Sequence, residues 1–165
     1  NVYHQGQLVP FFGLGIDFHE ELTARENIFL NGAMLGISRA NLSRNIEEII
    51  GYAEIERFLD QKLKYYSSGM RVRLAFAIAM QAGGEIYLLD EVQASGDATF
   101  QEKSSASILK MKQDGKTAIF VSHDMGSIGK YCDRVLWLDQ GRAVVCGTTA
   151  DVIAAYQKSI LRPVA

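Results

Sequence analysis

Residues 66–97 read YSSGMRVRLAFAIAMQAGGEIYLLDEVQASGD, and this stretch decides the fold. Tyr66-Ser67-Ser68-Gly69-Met70 opens as a small-residue turn and runs into a nearly unbroken apolar segment, residues 72–80. A helix that is apolar on every side is a buried one. After Ala82-Gly83-Gly84 comes a short apolar run, Ile86-Tyr87-Leu88-Leu89, closed by Asp90-Glu91. That run reads as a buried strand. In α/β proteins, ligands sit outside the carboxyl ends of strands. Two carboxylates at that edge therefore point to a site that holds a metal ion and activates a water. Ala94-Ser95-Gly96-Asp97 follows as a turn with a further carboxylate.

At these residues the chain resembles a known family. Tyr66-Ser67-Ser68-Gly69-Met70 looks like the signature motif of ATP-binding-cassette ATPases, and residues 86–91 resemble their Walker B strand. Asp97 stands where their D-loop aspartate belongs, and Val121-Ser122-His123-Asp124 resembles their switch histidine. The serine pair, the phrase Leu22-Thr23-Ala24-Arg25-Glu26-Asn27-Ile28, and Gly69-Met70-Arg71-Val72-Arg73-Leu74 are similar to the branch that exports polysaccharides and teichoic acids. Ser68 in place of the motif's usual first glycine fits that branch.

With 165 residues the chain can bury one real core. A net charge of −2 offers no basic field for nucleic acid, so no nucleic acid partner is expected. Cys132 and Cys146 are the only cysteines and read as reduced, buried thiols rather than a disulfide framework. No apolar run approaches the roughly 20 residues of a membrane span, and no signal peptide is visible. The first residue is Asn1, inside what reads as a strand, and the expectation is a truncated chain.

In order, residues 1–4 and 7–12 read as two short strands around Gly6, with Pro10 marking an edge or bulge. Thr23 and Glu26 form a capping box for a helix to about residue 35, stopped by Gly36. Ser38 caps a second helix to about residue 52, with Leu42, Ile46, Ile49 and Ile50 on one face. A third, shorter helix is expected over 54–59. Beyond the decisive stretch come a polar helix over 99–112, a strand over 117–121, a short helix over 125–131 and a strand over 134–138. Residues 139–142 turn into a hairpin partner over 143–146. Thr148 and Asp151 make a second capping-box-like start, for a helix over 152–158. Alternating strands and helices imply an α/β fold whose sheet is parallel at its centre. The resemblance makes this a P-loop NTPase-like core with a helical subdomain. It gives one partial domain over 1–165: core parts 1–21 and 83–165, and helical subdomain 22–82.

The resemblance also assigns roles. By that resemblance Asp90 holds Mg²⁺ through water, and Glu91 orients and deprotonates the attacking water, as phosphoryl transfer requires. The bland alternative is a strand exit with solvated acids. Ser67, Ser68 and Gly69 contact the γ-phosphate of a partner's ATP from a helix N-terminus, an anion-binding end. Taken locally, a plain serine N-cap explains them as well. His123 contacts the γ-phosphate in the family, although a lone histidine is more often structural. Asp97 belongs at the dimer seam by resemblance and to an Asx-turn by local reading. His4 and His19 are read as incidental.

Two patterns are missing from the 165 residues. No G-x-x-x-x-G-K-[ST] occurs: Gly115-Lys116-Thr117 has Lys110 where that loop needs glycine, and it enters a strand. Where the family places a metal-contacting glutamine stand Gly13-Leu14-Gly15-Ile16-Asp17. The export branch often lacks that glutamine, and Asp17 is not counted as its substitute. The expectation is thus most of the ATP-hydrolysing subunit of an exporter of lipid-linked polysaccharide, without its phosphate loop. It would pair with a second copy head to tail and with a membrane permease, on the cytoplasmic face of the membrane. A soluble repair or translation ATPase is the second reading, but residues 36–66 hold no coiled coil and the length no second cassette. A non-catalytic cassette is the third, and Glu91 with His123 argues against it.

Overall fold

The computed structural model describes residues 3–11, 18–91 and 97–160. They form two compact units, residues 1–119 and 120–165.

In the first unit, β1 (Leu8–Phe11) pairs in parallel with β2 (Ile86–Asp90), Leu8 opposite Ile86 and Phe11 opposite Leu89. β3 (Thr117–Val121) begins in this unit, and the sheet order is β1-β2-β3. Pro10 lies on β1, an edge of the three-stranded sheet, where its missing N–H costs least. Only this one strand forms among the described N-terminal residues. The strand expected before Gly6 is absent at Tyr3 and His4, because Gly6 takes a left-handed φ of 104° and turns the chain.

Helix α1 (Ala24–Met34) opens with the expected capping box: Glu26 N–H donates to Thr23 Oγ1 (3.2 Å), and Thr23 N–H donates to Glu26 Oε2 (2.8 Å). Gly36, φ 78°, ends it. Ser38 caps α2 (Arg39–Ala53), which buries Leu42, Ile49 and Ile50 and leaves Ile46 half-buried. The helix expected over 54–59 does not form. Glu54 sits in the left-handed region (φ 58°) and stops α2, so only 3₁₀ turns follow, at Glu56–Phe58 and Leu63–Tyr65. Helix α3 (Ser68–Met80) buries Leu74 and every residue from Phe76 to Ala79. Helix α4 (Ala98–Gln113) completes the unit.

Phe76 of α3 is the centre of the core. Its ring meets Phe11 of β1 edge-on (5.3 Å), Phe100 of α4 edge-on (5.7 Å) and Tyr52 of α2 in a stack (5.8 Å). Sheet and three helices thus converge on one side chain, and such pairs add about 0.5–1.5 kcal/mol each beyond area burial. At Gly84, a Cβ would stand 2.4 Å from Val9 Cγ2, so the chain entering β2 passes close against β1 only as glycine.

Tyr66, just before α3, is buried and donates its hydroxyl to Phe58 O (2.8 Å). Burial pushes its phenol from 10.0 to about 12, and burial also raises Tyr52 and Tyr87. A folded pKa above the unfolded one stabilises fully below pH 10, and that contribution is lost as pH rises through about 12. The melting temperature should therefore fall between these values. Tyr66→Phe should lower the neutral-pH melting point through a lost hydrogen bond of about 1 kcal/mol, and flatten the alkaline fall. Melting scans of both proteins from pH 7 to 12 check this.

The second unit contains α5 (Met125–Tyr131), the antiparallel hairpin β4 (Arg134–Asp139) and β5 (Arg142–Thr148), and α6 (Thr149–Ile160). Gln140 and Gly141 both have positive φ (44° and 77°), as a tight two-residue hairpin turn demands. The register shifts between Trp137 and Leu138, and Trp137 meets Tyr156 of α6 edge-on at 5.3 Å. Thr148 Oγ1 accepts from Asp151 N–H (3.3 Å), as its spacing suggested. Neither cysteine is in a disulfide, as expected, but neither is buried: Cys132 is half-buried, and Cys146 is exposed because β5 shows little of its length to a core.

Candidate functional site

Ser67, Ser68 and Gly69, expected to form the signature motif, lie at the start of α3. Ser67 is the N-cap, its Oγ accepting from Met70 N–H at 3.2 Å, and Ser68 and Gly69 form the first turn. Both serines are exposed. A Cβ on Gly69 would find nothing nearer than Ser67 Oγ at 4.0 Å, so the space above this backbone is open. An open helix start with serine hydroxyls beside it presents N–H donors and the positive end of the helix dipole.

Asp90 closes β2 with an exposed side chain, and Glu91 follows it, also exposed. Glu91 takes φ 48°, a left-handed backbone that glycine adopts without penalty. For a residue with a Cβ this costs about 1–2 kcal/mol. Strain of this kind concentrates at functional positions. Here it fixes a carboxylate at the strand edge where an ordinary turn would be built from Gly or Asn. Two adjacent carboxylates are hard oxygen donors and suit Mg²⁺, which uses one or two of them with waters and phosphate oxygens. Among the described residues no group of three or more His, Cys, Asp or Glu comes together as a metal cage.

Asp97 caps α4: its Oδ1 accepts from Phe100 N–H at 2.9 Å. Its Oδ2 accepts from Arg73 Nη1 at 3.1 Å. The structure thus brings α3 and Asp97 together through Arg73, a residue that the sequence reading gave no role. The signal was available: Arg71 and Arg73 interrupt an otherwise apolar helix. Arg71 Nη1 pairs with Glu20 at 2.8 Å, tying α3 to the segment that leads into α1. That segment is held by Asn27, fully buried, whose Nδ2 donates to the carbonyls of His19, Leu22 and Thr23. Gly13-Leu14-Gly15-Ile16-Asp17, and the turn residues Ser95 and Gly96, lie outside the described residues.

In the second unit, His123 is exposed and follows β3 directly. The turn around it is built by Ser122, whose Oγ accepts from Asp124 N–H (3.0 Å), and by Asp124, the N-cap of α5. Asp124 is held below the ordinary carboxylate range, first by the Ser127 hydroxyl, then by the Ser127 and Gly126 N–H groups, with a smaller share from His123. An ionised carboxylate next in sequence to His123 fixes the polarity of that turn.

The ABC transporter family model matches residues 8–94, the span from β1 through the β2 carboxylates. The O-antigen export system ATP-binding protein RfbB of Klebsiella pneumoniae is 38% identical over 156 residues, covering 94% of this chain and 63% of that protein. The teichoic acids export ATP-binding protein TagH of Lactococcus lactis is 38% identical over 92% of this chain and 33% of its own length. The chain therefore spans between a third and two thirds of these relatives. The dimeric post-hydrolysis structure of the ATP-binding cassette MJ0796, bound to ADP and Pi, superposes with a TM-score of 0.71 at 26% identity, over 87% of this chain and 63% of that one. The fold, the helix that starts at Ser67 and the acidic end of β2 agree with this match: the chain belongs to the ABC transporter family.

Proposed function

We propose that this chain is part of an ATP-hydrolysing subunit that drives export of a lipid-linked polysaccharide of the O-antigen, capsule or teichoic acid type. The observation that carries the hydrolytic reading is Glu91, held in a left-handed backbone at the carboxyl end of β2, beside Asp90. The names of RfbB and TagH support the exported class. In this reading residues 1–21 and 83–165 belong to the nucleotide-binding core and 22–82 to the helical subdomain.

The roles are those that resemblance to the family implies. Mg²⁺, when bound with ATP, supplies charge neutralisation at the terminal phosphates. Asp90 would hold it, through water. Glu91 orients the attacking water and takes its proton as the phosphoryl group departs. His123 donates to the γ-phosphate. Ser67, Ser68 and Gly69 bind the γ-phosphate of a second copy's nucleotide, so two copies meet head to tail around composite sites. Asp97 stands at that seam. The dimeric MJ0796 structure supports the pairing. The helical subdomain would press on a membrane permease at the cytoplasmic face of the cytoplasmic membrane. Among the described residues no helix is long and apolar enough to cross a membrane.

No G-x-x-x-x-G-K-[ST] occurs in these 165 residues, so the phosphate cradle must be supplied by other chain. Two preparations test the reading. The full-length protein should release inorganic phosphate from Mg-ATP and stop when the metal is chelated. The 165-residue chain alone should show no change in melting temperature with millimolar Mg-ATP, since a native-state ligand raises it by mass action. Absence of hydrolysis by the full-length protein would overturn the enzymatic reading. A saturable shift with the isolated chain would overturn the need for a separate phosphate cradle.

A further inference from the structure

We propose that Arg73 is a positioning residue that fixes the orientation of Asp97, at the start of α4, against the helix that begins at Ser67; this rests on the hydrolytic reading above. Arg73 lies on α3, less than two turns from the N-cap Ser67. Its side chain is only 19% exposed. Nη1 donates to Asp97 Oδ2 at 3.1 Å and stands 3.9 Å from Glu54 Oε2. The other Asp97 oxygen accepts from Phe100 N–H at the start of α4. Both oxygens are therefore engaged, one by a helix end and one by a guanidinium, and the carboxylate has one orientation.

Glu54 makes the node three-sided. It ends α2 with a left-handed φ of 58°, and its Oε1 accepts from Lys103 Nζ of α4 at 3.4 Å. Lys103 also donates to Tyr52 O (2.9 Å) and lies 4.5 Å from the centre of the Tyr52 ring. Cations from α3 and α4 thus converge on the end of α2, and Arg73 alone reaches on to Asp97.

The arrangement is poor for stability by itself. Arg73 Nε is buried and finds no hydrogen-bond partner among the described residues. A buried donor left unmade costs free energy, and an apolar side chain of similar volume commonly does as well as a buried ion pair. What the arginine does supply is a fixed link. α3 is rigid over the few residues from Ser67 to Arg73, so the helix end proposed to bind phosphate and the residue that anchors Asp97 move as one body. Arg73 therefore holds Asp97, placed at the seam in the reading above, in one orientation relative to the helix end proposed to bind phosphate.

The test uses the full-length protein with Arg73→Met, Arg73→Lys and Asp97→Asn. Asp97→Asn keeps a side-chain acceptor for the α4 cap and removes the charge, so it interrogates the link even if Arg73→Met folds poorly. Arg73→Met and Asp97→Asn should each lower kcat for ATP about tenfold or more, with KM within about threefold, because a misplaced catalytic group costs rate. Arg73→Lys should recover part of the loss as a point charge reaching one oxygen. The double variant Arg73→Met/Asp97→Asn should be no slower than the slower single one, as expected for partners in one interaction. A merely structural role would instead lower the melting temperature and leave kcat per folded molecule unchanged. That result, or losses that multiply in the double variant, overturns the proposal. A wild-type protein without ATPase activity would instead overturn the hydrolytic reading.

Discussion

Glu91→Gln is expected to leave ATP binding by the full-length protein intact and to slow steady-state hydrolysis by on the order of 10²-fold or more, the usual scale for loss of a general base. Glutamine keeps the volume and the hydrogen-bonding reach but cannot take the proton. The backbone gives a second variant with an opposite stability signature. Glu91 has φ 48°, so Glu91→Gly should relieve about 1 kcal/mol of strain and raise the melting temperature, while abolishing turnover. A protein made more stable and inactive by one substitution shows that the strained residue serves the chemistry. Phosphate-release kinetics and a thermal scan on both variants check the pair. Unchanged hydrolysis in Glu91→Gln would remove Glu91 from the mechanism.

Gly69→Asp is the second large effect. It places a carboxylate where the phosphate of a second copy's ATP is to dock. A Cβ at this position meets only open space, with Ser67 Oγ at 4.0 Å. An acid in the first turn of a helix is favoured by the dipole, by about 0.3–1 kcal/mol. The fold should therefore keep or slightly gain stability. Hydrolysis should fall to near background, because the new charge repels the anion that the helix end would bind. Binding of ATP to the full-length protein should survive, since the cradle for its other phosphates is elsewhere. Melting temperature, ATP binding and phosphate release, measured together, separate this from misfolding.

Much of the architecture was legible because local chemistry and global packing agree along this chain. Thr23 with Glu26, Ser38 and Ser67 each cap the helix their sequence announces. The apolar run after Ser68 is a core helix because Phe76 is where sheet and helices meet. The failures have local causes. Helical periodicity over 54–59 was overruled by the left-handed Glu54, a conformation that residue type does not advertise. At Tyr3 and His4 the strand read before Gly6 does not form, because Gly6 takes a φ of 104° and turns the chain there. Cys132 and Cys146 read as buried from residue type alone, whereas burial depends on what packs over them. At the site, residue types located Asp90, Glu91, Ser67 and His123 at element ends. They could not give the strained φ of Glu91 or the bridge from Arg73 of α3 to Asp97 at the start of α4, a contact between residues 24 positions apart.

The most direct measurement of the central claim, a site shared between two copies, mixes two inactive full-length variants. One carries only Gly69→Asp and the other only Glu91→Gln. In a head-to-tail dimer of the two, one site combines an intact Glu91 with an intact Gly69, and the other site holds both lesions. In an equimolar mixture about half the dimers are mixed and each has one complete site, so phosphate release should recover to about a quarter of the wild-type rate. If each subunit handled ATP with its own Glu91 and its own Gly69, every site in the mixture would carry a lesion. Hydrolysis that stays at the level of the separate variants would contradict the shared site.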